Sequence, residues 1–230
     1  MNIQGLQKLT LLDFPDKTAA TVFLGGCNFR CPFCHNASIV QCGKSSDGIS
    51  EDEFFAFLEK RRGMIEGVCV SGGEPTLQGG LSDFIRKIKA LGYAVKLDTN
   101  GYRPDVIRSL VSDGLVDYVA MDIKNSRESY AKTVGIDAFD ITPILESAEY
   151  LMSGKVDFEF RTTVVRELHT KDDIISIGKW LSGNEKFFLQ PFRDSGELLS
   201  KEPMSSYSVA EFEELLEIFK TLVPNAQIRG

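Results

Sequence analysis

The sequence predicts a parallel α/β fold, wound as a partial barrel that stays open on one side. Three observations lead there. Six short runs rich in β-branched and apolar residues recur along the chain, and a helical pattern follows each one. That alternation marks strands joined by crossover helices. Six units are too few for a closed eight-fold barrel. No long linker, repeat or low-complexity stretch divides the 230 residues, so the chain reads as a single domain over residues 1–230.

The first strand covers residues 17–24 and is stopped by Gly25-Gly26. Ser50 and Glu53 have the spacing of a capping box, and Phe54, Phe55, Phe57 and Leu58 supply the apolar stripe of the helix behind it. The second strand, residues 67–71, ends at Gly72-Gly73; Phe84, Ile85, Ile88 and Leu91 then mark a helix closed by Gly92. Residues 94–98 form the third strand, and Pro104 suits the first turn of a helix carrying Val106, Ile107 and Leu110. The fourth strand is residues 115–123, followed by a helix opened by Pro143 with Ile144, Leu145, Ala148 and Leu151. Phe158, Phe160, Thr162 and Val164 alternate along the fifth strand, residues 156–165, and Thr170 caps a helix bearing Ile174, Ile177, Trp180 and Leu181. Residues 186–190 form the sixth strand. The remaining 195–230 read as a C-terminal extension: a second capping box, Ser208 to Glu211, precedes an amphipathic helix whose Phe212, Leu215, Leu216, Phe219 and Leu222 pack on the core.

Composition narrows the function. A hydrophobic content of 43% suffices for one substantial core, and a net charge of −7 is a poor match to a nucleic-acid partner. No stretch approaches the roughly 20 apolar residues of a membrane span, and residues 1–16 lack the pattern of a signal peptide. Five cysteines without an export signal fit a reducing, cytoplasmic setting.

Three of those cysteines, Cys27, Cys31 and Cys34, form a C-x3-C-x2-C run directly after the first strand. Three thiolates cannot pair off without leaving one over, but they can converge on one metal centre. They are one ligand short of a closed site, which suggests a vacancy for something else. Cys69 lies in Gly67-Val68-Cys69-Val70 and reads as core strand; Cys42 has no partner cysteine in its surroundings; His169, just before a helix cap, reads as a surface histidine. The two leftover cysteines are too few to ligate a further cluster of their own.

Parallel α/β folds bind ligands at the carboxyl ends of their strands. Here those ends carry, in order, the cysteine run, Ser71-Gly72-Gly73-Glu74, Asp98-Thr99-Asn100, Asp122-Ile123-Lys124, Arg161-Thr162-Thr163 with Arg166, and Gln190-Pro191-Phe192-Arg193. Any one of these has a bland reading as a turn, cap or solvated charge. Their concentration at one end of consecutive strands does not. Gly72-Gly73 lets backbone approach a ligand closely, and Glu74 can accept a hydrogen bond from an ammonium group.

The cysteine run, with Phe33 just before its last cysteine, resembles that of the radical S-adenosylmethionine (radical SAM) superfamily. The resemblance covers nearly the whole chain and implies a partial (β/α)6 TIM-like barrel. Cys27, Cys31 and Cys34 would hold one 4Fe–4S cluster whose open iron binds S-adenosylmethionine. Gly72, Gly73 and Glu74 resemble the motif that holds its ammonium group. Cys34-His35-Asn36, Asp98-Thr99-Asn100-Gly101 and Met121-Asp122-Ile123-Lys124 are similar to motifs of glycyl-radical-enzyme activases. That similarity implies cofactor contacts for Phe33, Asn36, Asp98, Asp122, Lys124 and Arg161, and a monovalent cation at Asp98, Thr99 and Asp122. The stretch Gly5-Leu6-Gln7-Lys8-Leu9-Thr10-Leu11-Leu12-Asp13-Phe14-Pro15 resembles the start of anaerobic ribonucleoside-triphosphate reductase activating proteins. In one departure, Arg193 follows Pro191-Phe192 where pyruvate formate-lyase activases tend to have histidine.

The expected activity is reductive cleavage of S-adenosylmethionine to methionine and a 5′-deoxyadenosyl radical, which takes a hydrogen from a glycine of a partner glycyl radical enzyme. Anaerobic ribonucleotide reductase is the favoured partner, with a flavodoxin or ferredoxin as electron donor. Two alternatives stand beside it. One is a radical SAM enzyme acting on a small molecule, of the 7-carboxy-7-deazaguanine synthase type. The other is a zinc-binding structural or regulatory protein using the three cysteines and His35.

Overall fold

A computed structural model describes residues 1–41, 48–194, 196 and 198–230. Among them the chain forms one eight-stranded sheet whose spatial order follows the sequence: β1 (Ile3–Thr10), β2 (Ala19–Leu24), β3 (Gly67–Gly72), β4 (Ala94–Thr99), β5 (Tyr118–Asp122), β6 (Asp157–Val164), β7 (Phe187–Pro191) and β8 (Gln227–Ile228). β2 to β7 are parallel and are the six expected strands. Two additions correct the count of six. β1 runs antiparallel to β2, and β8 joins β7. The terminal strands do not pair with each other, so the barrel stays open.

The helices are α1 (Ala37–Gln41), α2 (Glu51–Lys60), α3 (Leu81–Ala90), α4 (Pro104–Ser112), α5 (Tyr130–Val134), α6 (Thr142–Met152), α7 (Lys171–Trp180) and α8 (Val209–Lys220). Reciprocal capping boxes form at Ser50–Glu53, Thr170–Asp173 and Ser208–Glu211. Each satisfies orphan backbone donors in the first turn, an effect of about 1 kcal/mol per cap.

Side chains alternate across each strand. The outward set is apolar and buried: Val68 and Val70, Val95 and Leu97, Val119 and Met121, Phe160, Leu189. With Phe54, Leu58, Phe84, Ile88, Ile107, Leu110, Ile144, Leu151, Ile174 and Ile177 from the helices, it builds one continuous core. Each such side chain contributes about 1.5–3 kcal/mol on full burial. The inward set is different. Thr21, Cys69, Ser71, Lys96, Asp98, Asp122, Glu159, Arg161 and Gln190 give the barrel a polar interior.

The amino ends of the strands are closed. Phe14, 3% exposed, packs on Tyr118 with ring centroids 6.2 Å apart. Arg229 caps the same end, its guanidinium 2.6 Å from buried Glu159, which also accepts from the Tyr118 hydroxyl at 3.0 Å. The C-terminal extension contributes α8, whose Phe219 meets Phe187 at 4.8 Å, as well as β8.

Candidate active site

β2 delivers the cysteine loop to the carboxyl end of the sheet. Several groups pin it there. Arg30 donates to the carbonyls of Cys27 and Phe29 at 2.7 Å each, and its own N–H donates to Val134 O at 2.8 Å. Asn100 Nδ2 donates to Asn28 Oδ1 at 2.8 Å, tying the loop to the end of β4. Phe29 packs edge-on against Tyr102 and Phe139.

Gly72 and Gly73 bring the end of β3 against this loop. Gly72 has φ +125°, and a Cβ there would lie 2.3 Å from Leu24 N and O. A Cβ on Gly73 would lie 2.1 Å from Gly26 O. Gly73 N–H donates to Leu24 O and Glu74 N–H to Gly26 O, both at 2.8 Å. The two glycines therefore serve first to let two backbone segments meet.

A cavity of about 270 Å³ lies beside the loop, near the lower end of the roughly 300–1,000 Å³ usual for small-molecule sites. Its walls include Cys27, Phe33 and Cys31, Cys34 with Asn36, Gly72 and Gly73, and the strand-end residues Asp98, Thr99, Asp122, Lys124 and Arg161. Twelve of the thirteen residues expected at the site are thus brought together. Ser71, Asn100, Thr163, Gln190 and His35 join them.

Glu74 is the exception. It is 0% exposed and absent from the cavity wall. Its Oε1 accepts from Thr76 N at 3.0 Å, the Thr76 hydroxyl and the Thr99 hydroxyl at 2.8 Å; its Oε2 accepts from Asn100 N at 2.6 Å. Three protein donors converge on Oε1 and one on Oε2. Glu74, expected to hold an ammonium group, here joins the ends of β3 and β4 and positions residues that face the cavity.

Other expectations change as well. His169 is fully buried, not a surface histidine. Its Nδ1 accepts from Val165 N at 3.1 Å, so Nε2–H donates to Lys124 O at 2.8 Å. The imidazole thereby fixes the backbone of a cavity residue. His35 stacks on Phe192 at 5.6 Å, an arrangement unlike a fourth zinc ligand. Arg193 is exposed, and Gln190 represents β7 at the cavity instead. Arg166 pairs with Glu211 and lies 4.4 Å from the Tyr207 ring, tying the start of α8 to the end of β6. Cys42 lies outside the described residues.

The charges on the cavity wall are paired. Asp122 accepts from Arg161 Nε at 2.9 Å and from Lys124 Nζ at 3.0 Å. Asp98 accepts from Lys96 and lies 3.5 Å from Arg161 Nη1. Burial alone would raise both carboxyls; the cations beside them outweigh it and hold both below the usual carboxylate range. Lys96 carried no signal in the sequence except its place on an inward strand position, and it was not anticipated.

Burial pushes the thiol of Cys27 up to about 11 and that of Cys31 up to about 12. Lys124 acts against that rise at both cysteines. Three soft sulfur donors at one cavity fit an iron–sulfur centre, and metal coordination deprotonates such thiols outright.

The radical SAM superfamily profile matches residues 21–181. The chain belongs to the radical SAM superfamily. It is a radical SAM enzyme, and the superfamily implies a 4Fe–4S cluster and S-adenosylmethionine. A Methanocaldococcus jannaschii protein named "Putative glycyl-radical enzyme activating enzyme" is 33% identical over 99% of this chain and 95% of its own length. A 7-carboxy-7-deazaguanine synthase of Koribacter versatilis is 29% identical over 68% of this chain and 66% of its own. Among solved structures, a domain of pyruvate-formate lyase-activating enzyme from Bacteroides vulgatus matches with TM-score 0.58 and 17% identity, over 72% of this chain and 99% of that one. Streptococcus suis SuiB bound to S-adenosylmethionine matches with TM-score 0.70 and 13% identity, over 89% of this chain and 48% of that one. These two likenesses concern the fold. Superfamily membership sets aside the zinc alternative. Among the described residues, no helix is long and apolar enough to cross a membrane.

Proposed function

We propose that this chain activates a glycyl radical enzyme. One observation carries the reading: a full-length relationship to a protein named for that activity coincides with a three-cysteine cavity at the carboxyl end of an open barrel. Cys27, Cys31 and Cys34 would hold the cluster. Phe33, Asn36, Gly72, Gly73, Asp98, Asp122, Lys124 and Arg161 would line the S-adenosylmethionine site. The cluster, once bound and reduced, would supply the electron for cleaving S-adenosylmethionine to methionine and a 5′-deoxyadenosyl radical able to take one hydrogen atom from a partner glycine.

The chain's own residues prepare that step. The contacts of Arg30 and Asn100 hold the first half of the cysteine loop at the carboxyl end of the sheet. Lys124 places positive charge beside Cys31, where thiolate charge must accumulate. The closed amino end leaves the carboxyl end as the entry for a partner loop. Anaerobic ribonucleotide reductase is the favoured partner because residues 5–15 resemble its activators, and a flavodoxin or ferredoxin would supply the electron in the cytoplasm. The monovalent cation implied at Asp98, Thr99 and Asp122 does not fit these residues, whose carboxylates are already held by Lys96, Lys124 and Arg161.

The test is anaerobic mixing of the reconstituted protein with a reductant, S-adenosylmethionine and candidate glycyl radical enzymes. Electron paramagnetic resonance should reveal a glycyl doublet on the partner. Full cleavage of S-adenosylmethionine with no doublet on any candidate would refute the activase reading. A small-molecule reaction is the second reading, favoured by the likeness to the deazaguanine synthase.

A further inference from the structure

Lys96 is a buried charge that the proposed chemistry does not use. It lies on β4 two residues before Asp98, so both side chains face the barrel interior. It is 1% exposed. Its ammonium donates to Asp98 Oδ1, and Cys69 Sγ on the adjoining strand lies 3.9 Å away. A buried ammonium persists only when paired, and Asp98 is the anion that pairs it.

The carboxylates that could hold a free ion are already paired. Asp98 is shared between Lys96 and Arg161, and Asp122 between Arg161 and Lys124. Three cations thus serve two carboxylates. The Thr99 hydroxyl donates to Glu74 and accepts from Gly101 N at 3.1 Å, so its directions are also largely spent. A mobile monovalent cation at Asp98 would meet an ammonium already there.

We propose that Lys96 is a tethered replacement for an exchangeable monovalent cation at Asp98. The covalent tether fixes one positive charge under the cavity at every ionic composition. The protein would therefore be indifferent to which monovalent salt surrounds it. Removing the ammonium while keeping the side-chain length should open a cation site formed by Asp98 and its neighbours. The inference deepens the radical SAM reading of this cavity, but its first readout needs neither cluster nor S-adenosylmethionine.

The experiment compares wild type, Lys96→Met and the double variant Lys96→Met/Asp98→Asn in NaCl, KCl and choline chloride at equal ionic strength. In the cluster-free protein, the wild-type Tm should be the same in all three salts. Lys96→Met should melt about 3–5 °C higher in NaCl or KCl than in choline, as expected for an ion at about ten times its dissociation constant. The double variant should lose that difference. In the anaerobic holoenzyme, S-adenosylmethionine affinity of Lys96→Met should rise about tenfold from choline to NaCl or KCl, while wild type stays level. A wild-type Tm that depends on Na⁺ or K⁺ overturns the proposal. So does a Lys96→Met protein equally destabilised in all three salts, or one that folds in none of them while the double variant folds. Absence of S-adenosylmethionine binding by every variant would count against the cofactor reading and leave the melting comparison standing.

Discussion

The conflict over Glu74 can be settled by replacing it with glutamine. The change preserves shape and removes one acceptor. If the new carbonyl oxygen takes the Oε1 position, it keeps Thr76 and Thr99. The new amide NH₂ then faces Asn100 N–H, which now sits 2.6 Å from Oε2 and can only donate. The opposite flip is worse, since Thr76 N–H and two hydroxyls crowd Oε1. A charge-assisted hydrogen bond worth about 1.5–3 kcal/mol is lost, and a buried donor is left unsatisfied at about 1–3 kcal/mol. A total near 3 kcal/mol lowers Tm by roughly 6–12 °C for a chain of this size. That is less than the roughly 5–15 kcal/mol of a typical domain, so the variant should still fold. The assay is thermal unfolding of the cluster-free protein followed by circular dichroism, paired with S-adenosylmethionine titration of the holoenzyme. An ammonium-binding Glu74 predicts the reverse pattern: unchanged unfolding without ligand and a large loss of affinity. A Tm within about 1 °C of wild type together with a tenfold affinity loss would refute the positioning role.

Gly73→Ala should force the backbone at Gly26 to move by about 1 Å, because its Cβ would lie 2.1 Å from that carbonyl oxygen. Destabilisation of about 1–3 kcal/mol and reduced iron content per chain are expected, read by urea unfolding and iron analysis. Cys31→Ala should abolish dithionite-driven cleavage of S-adenosylmethionine, and retained 5′-deoxyadenosine formation would contradict its assignment as a ligand. Burial holds the His169 imidazole below its ordinary range, so the folded state keeps it neutral. The unfolded chain binds that proton near pH 6.5, and stability should fall as pH drops below about 6.5 and be fully present above it. His169→Gln should flatten that part of the stability–pH curve while lowering stability at pH 8, where both partners of the neutral imidazole are lost. An unchanged slope between pH 6.5 and 5 would count against this.

The parts of the fold that were legible in the sequence share a cause. β2 to β7 bury their outward face under helices, so they read as apolar runs, and two of the three capping boxes, Ser50–Glu53 and Ser208–Glu211, were visible as spacing alone. β1 and β8 were not legible for the opposite reason. β1 is an edge strand with Lys8 and Leu9 exposed, which blurs the alternation, and β8 has only two residues. The short α1 and α5 carry too few turns for a period to register. At the site, residue type and strand position located the cavity wall well. They could not reveal which way a carboxylate points. Glu74 and Asp98 are both acidic residues at a strand end, yet one is turned into a cage of donors and the other faces the cavity. His169 is harder still, since its partners come from the loop after β5 and the turn after β6, more than forty residues apart.

The polar interior bears on why the barrel remains partial. A closed barrel of eight units fills its inside with layers of apolar side chains. Here the inward positions of β4, β5 and β6 carry Lys96, Asp98, Asp122, Glu159 and Arg161, and each is satisfied by another member or by Arg229, Tyr118 or Lys124. Such a group behaves as one unit. Deleting a single member strands a buried charge, at a cost of about 3–5 kcal/mol, whereas deleting a matched pair costs far less. The part of this unit that lines the cavity is balanced, Lys124 and Arg161 against Asp98 and Asp122, with Lys96 buried behind Asp98. The facing wall bears three cysteines that metal binding would make anionic. Lys124 lowers the work of assembling thiolate charge at Cys27 and Cys31, where burial opposes it. The ion pairs inside the barrel therefore do more than stabilise the fold; they set the electrostatic conditions under which the cysteine loop can act as a ligand.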